Sequence, residues 1–292
     1  MQNHPKWLDK NEYPFKSKYL HVGDAQMHYI DEGSGHAILF VHGTPSWSFD
    51  FRKVIKSLSR HFRCIAMDHI GFGLSEKPKH HDYSIEQHCR TFEYFIEKLN
   101  LNDFTLVVHD FGGPIGFQYA IRHPSRIRSI VVLNSWLWKF SDDPLFKPLQ
   151  KLANSPLLPL LYKYFNFSAR VLLPRSFGRE KPDSKTLKHY TAPFSKPAER
   201  LGCLAFAKSL VDEQEWFDTL WKQRTTLQHK PFLFVWGMAD KFTPPEFLQR
   251  FSDGFHHCEV IPLPYCGHFP QEEQPGKVSE AMHQFINRFK TS

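Results

Sequence analysis

Residues 104–116, Phe104-Thr-Leu-Val-Val-His-Asp-Phe-Gly-Gly-Pro-Ile-Gly116, change character twice in a short span. The first half is an apolar, β-branched run of the kind buried on both faces of a parallel sheet. The chain then turns at His109-Asp110-Phe111-Gly112-Gly113. An amphipathic helix is expected from Pro114 to Ile121, closed by His123-Pro124. Strand, tight turn and helix form a nucleophile elbow, which lifts one side chain above the end of a parallel sheet. In the usual Gly-x-Ser-x-Gly form that side chain is serine. Here it is Asp110, and Val108 stands where the first glycine would fall. A carboxylate at this point needs no base to activate it and forms an ester through its own oxygen. Taken alone, Asp110 reads equally well as the N-cap of the following helix.

At 292 residues the chain has the length of one large domain, or of one domain carrying an insertion. Hydrophobic residues make up 41% of it, enough for a sizeable core, and 28 Phe make it strongly aromatic. The net charge of +7 raises the question of a polyanionic partner. The Lys and Arg are scattered, however, and no helix-turn-helix, zinc-finger or RNA-binding signature occurs, so the charge is read as solvated surface and no nucleic acid is expected. The five cysteines, Cys64, Cys89, Cys203, Cys258 and Cys266, are odd in number and lack Cys-x-x-Cys spacing. They argue against a zinc site or disulfide framework and for a reducing compartment. Met1-Gln-Asn-His-Pro-Lys6 has no apolar signal core, and no apolar run approaches the roughly 20 residues needed to span a bilayer. A soluble cytoplasmic protein with no membrane partner is expected.

Lys18 to Val22 and Gln26 to Asp31 alternate in polarity and are joined by Gly23-Asp24, as in a hairpin. Ala37 to Val41 reads as a buried strand ending in His42-Gly43-Thr44-Pro45-Ser46-Trp47. A helix from about Phe49 to Ser59, a strand from Phe62 to Met67, and a helix from Ser84 to about Leu99 follow. Beyond the elbow helix, Ile127 to Leu133 is a strand leading into Asn134-Ser-Trp-Leu-Trp138. Such alternation implies a parallel, doubly wound sheet. From about Lys139 to Leu220 the rhythm breaks into prolines, aromatics and helical stretches, including Leu149 to Leu152 and Ala198 to Val211. This is a helical insertion lying over the strand ends, where α/β sheets bind ligands. The sheet resumes at Pro231 to Trp236. A helix around Pro245 to Phe251, a strand Glu259 to Leu263 and a final helix, about Pro275 to Phe289, complete the chain.

Asp110, Asp240 and His268 occur in the order nucleophile, acid, base. Each Asp follows a buried strand within a few residues, and His268 lies in the loop after the last strand. In an open parallel sheet these positions converge on one edge. With 18 His in the chain, a single His carries little weight. The order and the shared edge make the triad.

Several pieces together resemble the haloalkane dehalogenase and epoxide hydrolase branch of the α/β-hydrolase fold, over nearly the whole chain. They are His42-Gly-Thr-Pro45, Asp68-His-Ile-Gly-Phe-Gly-Leu-Ser-Glu-Lys-Pro78, the Asp-type elbow, Tyr190-Thr-Ala-Pro-Phe194, Trp236-Gly-Met-Ala-Asp240 and Gly267-His-Phe-Pro-Gln-Glu272. The resemblance implies a doubly wound, mostly parallel eight-stranded sheet, with residues 1–138 and 221–292 as the core domain and 139–220 as a helical cap. It implies a hydrolase in which Asp110 attacks carbon to form a covalent ester. His268, oriented by Asp240, then activates water against that ester. Backbone N–H groups of Thr44 and Phe111 are the expected oxyanion hole. Asp68 and Gly71 to Ser75 are read as structural. No cofactor or metal is expected. The expected partners are water and a small apolar organic substrate, with the chain a monomer or homodimer.

Two positions depart from the dehalogenase pattern. The branch usually holds the departing halide with a Trp directly after the nucleophile, and with a second Trp in the insertion or an Asn after His-Gly. Here those positions read Phe111 and Thr44. Phenylalanine offers only a weakly positive ring edge. Trp47, Trp136 and Trp138 are alternative indole donors, and Asn134 and Phe194 complete the candidate pocket residues. Epoxide hydrolysis calls for two tyrosines in the insertion. Tyr162, Tyr164 and Tyr190 are present, but Gly202 to Lys208, in the later cap helix, has none. Lactone or ester cleavage is a further option that needs no halide clamp. A non-catalytic ligand-binding homologue is the alternative of another class.

Overall fold

The computed structural model describes residues 5–140 and 146–289. The start of the N-terminal stretch read above, residues 1–4, and residues 141–145 of the insertion lie outside them. Eight strands form one sheet: β1 (Lys18–Val22), β2 (Ala25–Glu32), β3 (Ala37–Val41), β4 (Arg63–Met67), β5 (Phe104–His109), β6 (Ile127–Leu133), β7 (Phe232–Gly237) and β8 (Cys258–Leu263). Their order is β1-β2-β4-β3-β5-β6-β7-β8. Pairing is antiparallel from β1 through β2 to β4 and parallel from there on. The expected hairpin therefore forms the antiparallel edge, with Gly23 at φ 60° in its turn.

The sheet is wound on both faces because alternate strand residues enter different cores. Leu106 and Val108 of β5 pack with Ile115 and Phe117 of α3 (Gly112–Arg122), while Val107 packs with Val131, Met282 and Phe285 on the other side. The first face also carries α2 (Ile85–Lys98), whose N-cap Ser84 accepts a hydrogen bond from Gln87 N. The second carries α1 (Arg52–Leu58) and α12 (Pro275–Phe289). The helix expected over 49–59 is divided, with a 3-10 turn at Ser48–Phe51 preceding α1. That turn forms where Asp68, fully buried, accepts from Ser48 N at 2.8 Å and Leu74 N at 2.8 Å, so Asp68 is the structural residue expected.

Between β6 and β7, among the described residues, there is no strand. The segment holds α4 (Lys147–Ala153), α5 (Leu157–Phe165), α6 (Leu173–Ser176), α7 (Ser184–Thr191), α8 (Leu201–Asp212) and α9 (Gln214–Gln223). Beyond β7 come α10 (Pro245–Gly254) and a short α11 (Pro270–Glu273) that periodicity does not reveal.

A buried polar knot ties α7 to the second face of the sheet. Arg52 forms a two-point ion pair with Glu272, its Nη2 lying 2.9 Å from Oε1. Tyr190 O–H donates to Glu272 Oε2 at 2.9 Å and lies 3.3 Å from Asp50 Oδ1. Gln271 Nε2 donates to Asp50 Oδ2 at 2.8 Å. Removing one member of a buried pair strands the other, at a cost of about 3–5 kcal/mol. Glu272→Gln, which keeps the side-chain shape but leaves Arg52 only the Glu12 carboxylate 3.4 Å from its Nε, is expected to lower the unfolding free energy by about 3 kcal/mol in urea titrations; a loss below about 1 kcal/mol would show that the pair adds little.

Candidate active site

Asp110 is the first residue past β5 and has φ 51°, a left-handed backbone that non-glycine residues seldom adopt. The turn is tight enough to exclude side chains from its neighbours. A Cβ on Gly112 would sit 2.1 Å from Val41 O, and one on Gly43 would sit 2.0 Å from Asp110 Oδ1. Ser135 Oγ donates to Asp110 O at 2.7 Å and fixes the turn from the side of β6. Valine is tolerated at position 108 because Gly116, one turn into α3, leaves room: a Cβ there would lie 2.7 Å from Val108 Cγ1. The helix begins at Gly112, earlier than expected, with Phe111 at its N-cap and no side-chain cap. Asp110 is thus no N-cap. Its Oδ1 accepts from Thr44 N at 2.8 Å, and its Oδ2 lies 3.3 Å from His268 Nε2.

His268 Nδ1 lies 2.7 Å from Asp240 Oδ2. Asp240 is 3% exposed and is held by Phe242 N, which donates to its Oδ1 at 2.8 Å, and by Thr243 O–H. Asn134 Nδ2 donates to Asp240 Oδ2 at 2.9 Å. Asn134 also clasps β7, its Oδ1 accepting from Gly237 N at 2.8 Å and its Nδ2 reaching Gly237 O at 3.2 Å. Burial favours a neutral Asp240, but the facing His268 outweighs it and holds the carboxyl below its usual range. Burial likewise disfavours a charged His268; Asp240 and then Asp110 outweigh it and raise the imidazole to about 10. Behind these three residues, His109 Nε2 lies 2.7 Å from His268 O and pins the loop that carries His268. His42 Nε2 accepts from His69 N at 2.9 Å, which leaves Nδ1–H to donate to Gly43 O at 2.7 Å and brace the turn presenting Thr44 N. His109 could not be told from its fellows in the sequence, whereas His42 opens the quoted His42-Gly-Thr-Pro45 stretch.

Asp240 is buried beside His268, and Asp110 and His268 open onto a cavity of about 910 Å³, open solvent at its mouth included, walled mainly by apolar side chains. Thr44, Phe111 and Trp136 line it. The Phe111 ring stacks on Phe206 and meets Trp136 edge-on at 4.9 Å. The Thr44 hydroxyl is buried beside the Cys203 thiol. Trp136 Nε1 is buried with no hydrogen-bond partner among the described residues. Four expected pocket residues lie elsewhere. Trp47 is fully buried and donates to His189 O at 3.0 Å. Trp138 is packed edge-on against Trp221, Phe247 and Phe251. Asn134 serves Asp240 as above, and Phe194 packs edge-on against Phe72 behind the cavity wall. Of the three tyrosines, Tyr162 lines the cavity, Tyr190 belongs to the buried knot and Tyr164 is exposed. Phe242, Thr243 and Phe269 line the cavity without having been expected.

The α/β hydrolase fold family model matches residues 36–275. Haloalkane dehalogenase 2 of Mycobacterium tuberculosis is 34% identical over 283 residues, covering 96% of this chain and 97% of that protein. A cis-3-alkyl-4-alkyloxetan-2-one decarboxylase of Shewanella oneidensis is 32% identical, over 95% of this chain and 90% of that protein. Among solved structures, haloalkane dehalogenase DatA of Agrobacterium tumefaciens superposes with a TM-score of 0.85 at 26% identity, over 94% of this chain and 97% of its own. The chain belongs to the α/β hydrolase fold family and is a hydrolase similar to the haloalkane dehalogenases.

Proposed function

We propose that this hydrolase cleaves a carbon–halogen bond in a small apolar molecule through an alkyl ester on Asp110. The observation that carries the reading is the division of labour on that carboxylate. Oδ1 is held by a backbone N–H, while Oδ2 is met by His268 at the edge of an apolar cavity. In the first step Oδ2 attacks the carbon in line, a carbon–oxygen bond forms, and the halide leaves with the bonding pair. In the second, His268 takes a proton from water and the hydroxide oxygen adds to Cγ of the ester. The oxyanion on Oδ1 is met by Thr44 N–H and by Phe111 N–H at the start of α3. Collapse frees the alkoxide, which is protonated to the alcohol, and restores the carboxylate. Net, one water is consumed and one proton and one halide are released.

Alkylation also prepares the base. It removes the charge of Asp110, one of the two carboxylates that hold the His268 proton, so the imidazole falls toward the range where it accepts a proton from water. Trp136 N–H is the proposed halide donor in place of the missing one at Phe111, because it is buried, lines the cavity and lacks an acceptor. Residues 139–220 act as a cap over a core made of 1–138 and 221–292. The free cysteines favour the cytoplasm. A second reading, opening of a strained lactone, is favoured by the Phe at position 111 and by the decarboxylase relative, since a lactone carries its own leaving group. Epoxide opening is disfavoured by the single tyrosine of the three at the cavity.

Asp110→Ala is expected to abolish turnover, and His268→Phe to leave the substrate's alkyl group on Asp110, read as added mass on the peptide spanning Asp110. An unmodified peptide with every active substrate rules the ester out. Across bromoalkanes and β-lactones, halide release marks the first reading and lactone consumption without it the second. Trp136→Phe should cut halide release on the order of a hundredfold while sparing lactones. In Asp110→Asn, NMR titration should find the His268 pKa below that of the unmodified enzyme. The raised pKa stabilises the fold fully below about pH 6.5, the ordinary histidine value, and this contribution is lost as pH rises through about 10. The variant's stability should accordingly fall less over that interval.

A further inference from the structure

The outer face of α5 is apolar and, among the described residues, uncovered. Leu157, Leu160, Tyr164 and Phe165 are 58%, 49%, 58% and 64% exposed, whereas Leu158 and Tyr162 on the inner face are buried and line the cavity. Spacings of three and four residues place the first three on one stripe of the helix. The helix end is firmly anchored: Asn166 takes the left-handed conformation at φ 51°, and Arg200 donates to the carbonyls of Lys163, Phe194 and Ser195. The apolar face is therefore held out to solvent by its own fixings.

Charge along this segment is one-sided. Residues 146–179 contain Lys147, Lys151, Lys163, Arg170, Arg175 and Arg179 and no Asp or Glu. All six cations are exposed, and none forms an ion pair among the described residues. Read along the whole sequence the basic residues look scattered; in the structure Lys163 lies on α5 itself, and Lys147 and Lys151 lie on α4, which packs against it. An apolar stripe flanked mainly by cations, with Glu199 on the turn Pro197–Arg200 packed beside α5, matches an anionic lipid surface, where the stripe enters the headgroup–acyl boundary and the cations meet phosphate. A second copy of the same chain would bring like charges together.

We propose that α5 docks this enzyme onto an anionic phospholipid bilayer, peripherally and reversibly. No helix among the described residues is long and apolar enough to cross a membrane, so the attachment lies in the interface plane. The same helix walls the cavity with Leu158 and Tyr162, so docking sets the cavity beside the phase in which apolar molecules collect.

The test is sedimentation of the full chain with vesicles of phosphatidylglycerol and phosphatidylcholine mixed, against phosphatidylcholine alone. We expect binding that rises at least about tenfold with the anionic lipid and falls with added salt. Leu160→Gln combined with Phe165→Gln should lose most of it with an unchanged melting temperature, as should Lys151→Glu combined with Lys163→Glu. Equal binding to both vesicle types, no binding, or a dimer in light scattering that the Leu160→Gln, Phe165→Gln variant abolishes while vesicles recruit nothing would each overturn the proposal. The readout is lipid binding alone, so its failure leaves the reading of Asp110 untouched.

Discussion

The left-handed backbone at Asp110 is the constraint on which the site rests. A non-glycine residue at φ 51° costs on the order of 1–2 kcal/mol, and it persists only where its surroundings leave no alternative. Here the surroundings are explicit. Gly43 and Gly112 let two backbones approach until a methyl group would clash, and Ser135 fastens the carbonyl of the turn. The carboxylate that emerges cannot relax back onto the helix it precedes. It is offered instead to one backbone N–H and one imidazole.

A buried cluster of two carboxylates and an imidazole would ordinarily be costly, because each charge loses its water. The protein offsets this by donating to both carboxylates. Asp240 receives Asn134, Thr243 and the amide of Phe242, Asp110 receives the amide of Thr44, and His268 keeps its proton between them. This arrangement is electrostatically poised rather than merely filled. Neutralising either carboxylate alters what holds the proton on the ring, so a change at Asp110 is felt at a nitrogen on another loop.

Much of this was legible before any coordinates. The buried runs at 37–41, 104–109, 127–133 and 232–237 announced a parallel sheet because β-branched apolar runs of that length have few other uses, and the order of Asp110, Asp240 and His268 followed from where those runs end. What was not legible is direction. Trp47, Trp136 and Trp138 look alike in a sequence, yet Trp47 donates to a carbonyl, Trp138 is packed among other rings, and Trp136 alone lines the cavity. Asn134 read as a pocket residue because it ends a strand. Its partners lie more than a hundred positions away, on β7 and its loop, and no local pattern encodes that pairing. The exposed face of α5 was hidden for a similar reason, since an apolar run announces burial and says nothing of which side is covered.

The reciprocal pair between Asn134 and Gly237 joins the two strands that flank the helical segment. Together with the ladder from Ile130 to Leu133, it closes the sheet across the very gap that the segment fills. The intervening stretch is thereby relieved of any duty to keep those strands in register. Mutation can lengthen, trim or reshape that stretch while Asp240 stays where Asn134 holds it, so the wall of the cavity is free to change without disturbing the carboxylate behind it.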